Sequence, residues 1–299
     1  MKKILVIHYS QTGQLTEVLK ALTQPLTLAG VQVDHLPITP VTPYPFPWSR
    51  MGFFGVFPES VNGDPVPLLP AAAPSSNYDL IIFGYTIWYL NPSIPANSFL
   101  RQADPALFRN TPVLTVIGAR NMWVHAQEKV RKMLKGLGGI PVGNIVAEDR
   151  ASNMVSLVTI IRWMFWGKKE AFFLFPPAGI READIASNAR FAPEILARLE
   201  SRNWDGFNKK ILQLGSAQIK PALLILEKRA LVLFGKYRSF MLAKVATDPT
   251  SRDKRVRIFS VALPIGAFIL SPITALTTFL VSIFRRKAIQ REVDELLSY

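Results

Sequence analysis

Apolar positions fall along this chain in two rhythms. β-Rich apolar runs at 3–7, 31–36, 80–85 and 112–118, with a weaker one at 140–146, alternate with stretches at 14–28, 93–102, 122–137 and 182–200 whose apolar residues recur every three to four positions. Strands of that kind separated by amphipathic helices predict an α/β fold with a parallel sheet covered on both faces. Gly30 and Gly136 fall where the first and third helices should stop.

Two stretches break the rhythm. Residues 37–70 scatter prolines among Tyr44, Phe46, Trp48, Phe53, Phe54 and Phe57, too apolar for a disordered linker. A lid over a site and a loop merely packed on the sheet edge both fit that pattern. Residues 151–180, with Trp163, Trp166, Lys168 and Lys169, mix aromatic and basic character as an interfacial segment does. The expected division is therefore an α/β domain over 1–205 and a helical region over 206–299. Within the latter, the run beginning "IKPALLILEKRALVLF" has the make-up of a helix lying in a membrane surface, and 258–284 contains no charge. Both of its flanks are basic ("RDKRVR", "RRK"), and Pro264, Gly266 and Pro272 offer bends. A shallow hairpin or monotopic insertion from the cytoplasmic face is the preferred reading, ahead of a single span and of a buried helix.

Charge sharpens the partner. Thirty-five Lys+Arg against 21 Asp+Glu give +14, which calls for a polyanionic surface. The positive mean hydropathy, +0.21, favours anionic lipids over nucleic acid. The absence of cysteine excludes disulfides, thiolate nucleophiles and Cys-ligated metals. With three histidines, no metal site is expected. The apolar run after Met1 ends by His8, too short for a signal peptide, so the amino terminus is expected in the cytoplasm.

The candidate chemistry lies in "HYSQTGQLT", residues 8–16, where the first strand hands over to the first helix. A polar, glycine-containing turn at a helix amino terminus is suited to a phosphate, although a Ser/Thr-rich helix cap without ligand looks the same. There is no lysine to meet a triphosphate and only Gly13 of a dinucleotide fingerprint. The loop resembles that of the flavodoxin family, with Ser10, Thr12, Gly13 and Thr16 at matching positions. That resemblance implies a five-stranded parallel sheet of order 2-1-3-4-5 with FMN as cofactor. The phosphate would lie on Ser10, Gln11, Thr12, Gly13, Gln14 and Leu15. The ring would lie between Thr86, Ile87, Trp88, Tyr89 and Asn91 on one loop and Ala119, Arg120, Asn121, Met122 and Trp123 on another.

More narrowly, "KILVIHYSQTGQL", "FPWSRMGFFGVFPE" and "RNMWVHAQE" resemble the flavodoxin-like proteins of dialkylresorcinol and aryl-polyene biosynthesis, often labelled dialkylresorcinol condensing enzymes. The resemblance implies oxidation of a dialkylcyclohexane-1,3-dione to a resorcinol, downstream of a ketosynthase-type partner. The lack of cysteine argues against condensation by this chain itself. Arg120 and Tyr89 are candidate orienting donors and His125 a candidate base, each with a plain surface or packing role as the alternative. A membrane quinone-type reductase using NAD(P)H and a nonenzymatic membrane scaffold are the competing readings. Family analogy also allows a homo-oligomer.

Overall fold

The computed structural model describes residues 1–71, 73, 74, 77–243, 248 and 250–299, the side chains of 267, 268, 270–273 and 275 excepted. The first half runs β1 (Lys3–His8), α1 (Gln14–Leu28), β2 (Gln32–Pro37), α2 (Arg50–Gly55), α3 (Phe57–Asn62), β3 (Leu80–Trp88), β4 (Asn91–Pro92), α4 (Ile94–Gln102), α5 (Pro105–Phe108), β5 (Pro112–Ala119), α6 (Val124–Gly136) and β6 (Ile140–Glu148). Next come α7 (Asn153–Trp166), α8 (Glu182–Ala186), a 3-10 turn (Ser187–Phe191), α9 (Ala192–Ser201), α10 (Phe207–Gln213), α11 (Pro221–Leu242), α12 (Ser251–Phe284) and α13 (Arg286–Leu297).

The sheet is parallel in the order β2-β1-β3-β5-β6, which is the expected 2-1-3-4-5 once the two-residue β4, paired antiparallel with β3, is left out of the count. Alternation along the strands divides the interior. Leu5, Ile7, Ile81, Phe83 and Tyr85 face α4 and α6, whereas Ile4, Val6, Ile82, Leu114 and Val116 face α1, α9 and α10. The approach of α1 is close: a Cβ on Gly84 would stand 2.8 Å from Leu19 Cδ1 and 3.0 Å from His8 Cβ.

Several elements depart from the sequence pattern. The helix expected over 182–200 is split into α8, the 3-10 turn and α9, with Pro193 near the start of α9, where its missing N–H costs nothing. The 37–70 segment, read from the sequence as a long ordered loop, carries two short helices, α2 and α3. Residues beyond 205 are built into the α/β interior: Phe207 and Ile211 pack with the α1 face, and Ile289 and Val293 of α13 with the other. A third cluster, around Phe54, Phe57, Met241, Val256 and Phe259, joins α2 and α3 to α11 and α12, with Tyr89 and Phe165 at its margin.

The expected hairpin within 258–284 is not formed. α12 is one helix of 34 residues running through Pro264, Gly266 and Pro272. α11 lies alongside it, supplying the packing that a proline-weakened helix needs to stay continuous. Among the described residues no helix is long and apolar enough to cross a membrane. Part of the apolar run, the side chains at 267, 268, 270–273 and 275, lies outside them.

Candidate functional site

Ser10 lies two residues past the His8–Gly84 pairing of β1 with β3, and Thr86 pairs with Gly118 of β5. Three strand ends therefore present Ser10, Thr86 and Gly118 in a row beneath the amino terminus of α1, whose Leu15 Cβ would be 3.6 Å from a Cβ placed on Gly118. Gly13 caps α1 in the left-handed conformation, φ +84° and ψ −22°, with no side chain closing the helix end. Open space surrounds the position where its Cβ would be. A residue with a side chain would be strained there, and the first N–H groups of the helix have no side-chain acceptor. The hydroxyls of Ser10 and Thr86 are shielded from solvent and lack hydrogen-bond partners among the described residues. Leaving two such groups unmet costs folding energy, so their placement under an uncapped helix end fits an anion that would meet them.

The two amides of the loop are committed elsewhere. Gln11 Oε1 accepts from Trp48 Nε1 at 3.1 Å, and Gln11 Nε2 donates to the carbonyls of Pro45 and Tyr44 at 3.2 and 3.4 Å. Gln14 Nε2 donates to Ile180 O at 2.9 Å, while Ile180 N–H returns a bond to Gln14 Oε1 at 3.1 Å. Gln11 thus holds the aromatic 37–70 segment and Gln14 the 151–180 segment. With both amide side chains engaged, the loop's free groups toward a ligand are its backbone, Ser10 and the exposed Thr12, the groups the sequence reading pointed to.

On the second loop, Tyr89 and Leu90 turn through left-handed conformations, φ 48° and 65°, to fold Asn91–Pro92 back against β3. Trp88 meets Tyr9, Tyr44 and Trp48 edge to face, with ring centres 5.9, 4.9 and 5.4 Å apart. Ile87 is half-buried at the end of β3. Tyr89 turns the other way: its hydroxyl donates to Phe53 O at 2.9 Å and its ring packs on Phe57 and Phe234. Asn91 donates to Tyr89 O and accepts from Lys129.

On the third loop, Ala119 is buried and Arg120 donates from one guanidinium nitrogen to Asn153 O and Oδ1 at 2.9 and 3.0 Å. Asn121 Nδ2 joins the same Oδ1 at 2.8 Å, fixing the start of α7. Burial lowers the Arg120 pKa and the nearby Asp149 raises it. Met122 is left-handed at φ 51°, and the buried Trp123 donates Nε1–H to Glu148 at 2.7 Å, away from the phosphate loop.

His125 stands on the first turn of α6, where burial and then Lys129 lower its pKa. Its backbone N–H donates to Glu227 Oε1 at 2.7 Å. The strand tips therefore gather Ser10, Thr12, Gly13, Thr86, Trp88, Arg120 and Asn121. Tyr89, Asn91, Trp123 and His125 instead serve contacts to the lid, α6 and the carboxyl-terminal helices. Sequence reasoning passed over Glu227, which α11 inserts at the head of α6; its signal was one acid inside the apolar run "LLILEKRALVLF". Among the described residues no cluster of His, Asp or Glu could hold a metal.

No family model and no curated protein matches the chain. Solved structures do. A flavoprotein from Lactobacillus acidophilus in complex with FMN is 15% identical over 49% of this chain and 93% of its own, with a TM-score of 0.41. For a putative flavoprotein from Bacteroides uniformis the values are 16%, 51%, 94% and 0.40, and for a flavodoxin from the domain Archaea 12%, 66%, 99% and 0.35. The strand order stands on its own beside such distant likenesses. The fold is flavodoxin-like. In doubly wound sheets of this order the carboxyl ends of the strands at the switch point are the ligand position, and here they carry the Ser10–Thr86–Gly118 row.

Proposed function

We propose that the protein is an FMN-dependent oxidoreductase acting on a lipid-like cyclic dione. The observation that supports the cofactor is the pair of buried, unpartnered hydroxyls on Ser10 and Thr86 beside the uncapped α1 terminus at Gly13. These groups suit the phosphate of FMN, with Thr12 and the loop backbone as further donors. Trp88 and the backbone of 119–122 are the remaining candidates to hold the ring.

When bound, FMN supplies a two-electron acceptor for hydride. The family resemblance in the first 200 residues supports a 2,5-dialkylcyclohexane-1,3-dione as substrate, which loses two hydrogens to become a dialkylresorcinol. One leaves as a proton from carbon next to a carbonyl and the other as hydride. Arg120, held by Asn153 on the loop after β5, would stabilise an enolate oxygen. Burial keeps His125 neutral near pH 7, the form a base requires, but its backbone is tied to Glu227 on the side of α6 where α11 docks. The aromatic 37–70 segment is fastened to the 8–16 loop through Trp48 and Gln11, and would supply apolar contacts to an alkyl-substituted substrate. A ketosynthase-type enzyme would supply the dione.

The test is the absorption spectrum of gently purified protein, followed anaerobically as the dione is added. Flavin bands near ~370 and ~450 nm that bleach while resorcinol appears support the reading. Bands that ignore the dione and bleach with NAD(P)H replace it with a reductase. A colourless protein that takes up no FMN leaves a scaffold.

A further inference from the structure

α12 carries an apolar face that nothing covers among the described residues. Ile258, Val261, Ile265, Ile269, Leu276 and Ile283 are between 47% and 66% exposed. Their spacing of three, four or seven positions places them on one side of the helix, over about 38 Å at 1.5 Å per residue. The described side chains that turn away from this face, near either end of the helix, are protein-facing and partly polar. Phe259 and Val256 are buried in the third cluster. Arg50 Nε donates to Ser260 Oγ at 3.0 Å, and Arg229 of α11 donates to the hydroxyls of Thr277 and Thr278 at 2.9 and 3.0 Å. Exposed basic residues close both ends of the stripe: Lys254 and Arg257 before it, Arg285, Arg286 and Lys287 after it.

We propose that this face docks on an anionic lipid bilayer, with α12 lying in the plane of the interface. One-sidedness decides the orientation. A helix crossing the hydrocarbon would have to present lipid on every side that other helices do not cover, whereas here arginine–hydroxyl contacts recur near both ends. Charge decides the occupant. In a parallel pair of α12 helices like ends meet, and in an antiparallel pair Lys254 and Arg257 meet Arg285–Lys287; both put cations against cations. A chain of charge +14 finds its complement in acidic headgroups.

A second anchor adjoins the first half of the helix. Trp166, Phe173 and Leu174 are 64%, 93% and 86% exposed beside Lys168. Phe165, next to Trp166, stacks on Phe54, which in turn packs on Phe259 of α12. None of this depends on the flavin.

The experiment is co-sedimentation of the full chain with phosphatidylcholine vesicles, with and without phosphatidylglycerol. The protein should pellet with the anionic vesicles and be released by salt. The double variant Ile265→Glu with Ile269→Glu, at two positions more than half exposed, should keep its far-ultraviolet circular dichroism and bind at least about tenfold more weakly. Lys254→Glu with Lys287→Glu should lose the preference for phosphatidylglycerol. Because the chain has no cysteine, Lys254→Cys and Lys287→Cys can be labelled singly on intact vesicles; equal labelling supports the in-plane helix. Protection of one of the two overturns it in favour of a span. Wild type left in the supernatant overturns the docking itself. So does a lipid-free dimer, seen by sedimentation velocity, that the Ile265→Glu/Ile269→Glu variant dissolves, since a second copy then covers the face.

Discussion

Two buried ionisable groups should oppose each other in the pH dependence of stability. Glu227 is 2% exposed, with Oε1 on the His125 N–H and Oε2 unpartnered. Burial raises its pKa from 4.5 to about 7, against the pull of the two α6 N–H groups. The folded protein then holds a proton that the unfolded chain has released between those pH values. Stability from this carboxyl is present below 4.5 and falls by about 3 kcal/mol as pH rises to 7. His8 works in reverse. Burial and then His35 lower its pKa from 6.5 to about 4, so the unfolded chain binds the proton that the folded one refuses. Its contribution rises by about 3 kcal/mol between pH 4 and 6.5.

The contributions of these two groups thus nearly cancel across pH 4.5–6.5, and each becomes visible when the other is removed. Urea unfolding by tryptophan fluorescence at closely spaced pH values, on wild type, Glu227→Gln and His8→Gln, measures this. Subtracting the curves cancels other titrating groups such as His35 and Glu148. Glu227→Gln should gain on wild type by about 3 kcal/mol from pH 4.5 to 7, whatever constant offset of about 1–3 kcal/mol the buried amide N–H imposes. His8→Gln should gain on wild type as pH falls from 6.5 to 4. Parallel curves for wild type and Glu227→Gln would refute the burial argument for the α11–α6 contact.

Four further outcomes are expected. Ser10→Ala should weaken FMN uptake about 10- to 100-fold, as loss of one hydrogen bond to a charged phosphate does, measured by fluorescence titration. Gly84→Ala, which drives a Cβ to 2.8 Å from Leu19 Cδ1, should destabilise by about 1–3 kcal/mol in urea unfolding. Phe259→Ala empties a fully buried position between α2, α3 and the carboxyl-terminal helices and should cost about 3–5 kcal/mol by the same assay. Gln14→Ala removes both bonds to Ile180 and should make the 167–180 stretch markedly more sensitive to limited proteolysis, with α/β circular dichroism unchanged.

Legibility in the sequence followed how local the signal was. The five long strands could be read because parallel strands buried on two faces leave continuous apolar runs with helices between them, whereas their order came from the flavodoxin resemblance of the first loop. β4 left no such trace: it is two residues long and exists because two non-glycine residues, Tyr89 and Leu90, are left-handed. α2 and α3 contain Gly52, Gly55 and Pro58, weak helix formers individually, and their helicity rests on burying Phe54 and Phe57 against α11 and α12, which begin 164 or more residues further along the chain. The same holds for Pro264, whose local bending tendency is overruled within the continuous α12. At the site, composition marked the 8–16 loop as polar and glycine-containing at a helix terminus. It could not separate Ser10, whose hydroxyl is unmet, from Gln11 and Gln14, whose amides are bonded to segments 34 and 166 residues on.

Those long-range amides give the molecule its logic. One short loop holds both insertions: Gln11 fastens the segment that carries α2 and α3, and Gln14 fastens the one that carries α7. α2 and α3 are also the platform for α11 and α12, through Phe54, Phe57 and the Arg252–Glu59 ion pair at 2.5 Å. Tyr89 completes the circuit, with its backbone on the second loop of the strand tips and its hydroxyl on Phe53 of α2. α12 and the 8–16 loop are therefore joined by one continuous set of contacts running through the 37–70 segment.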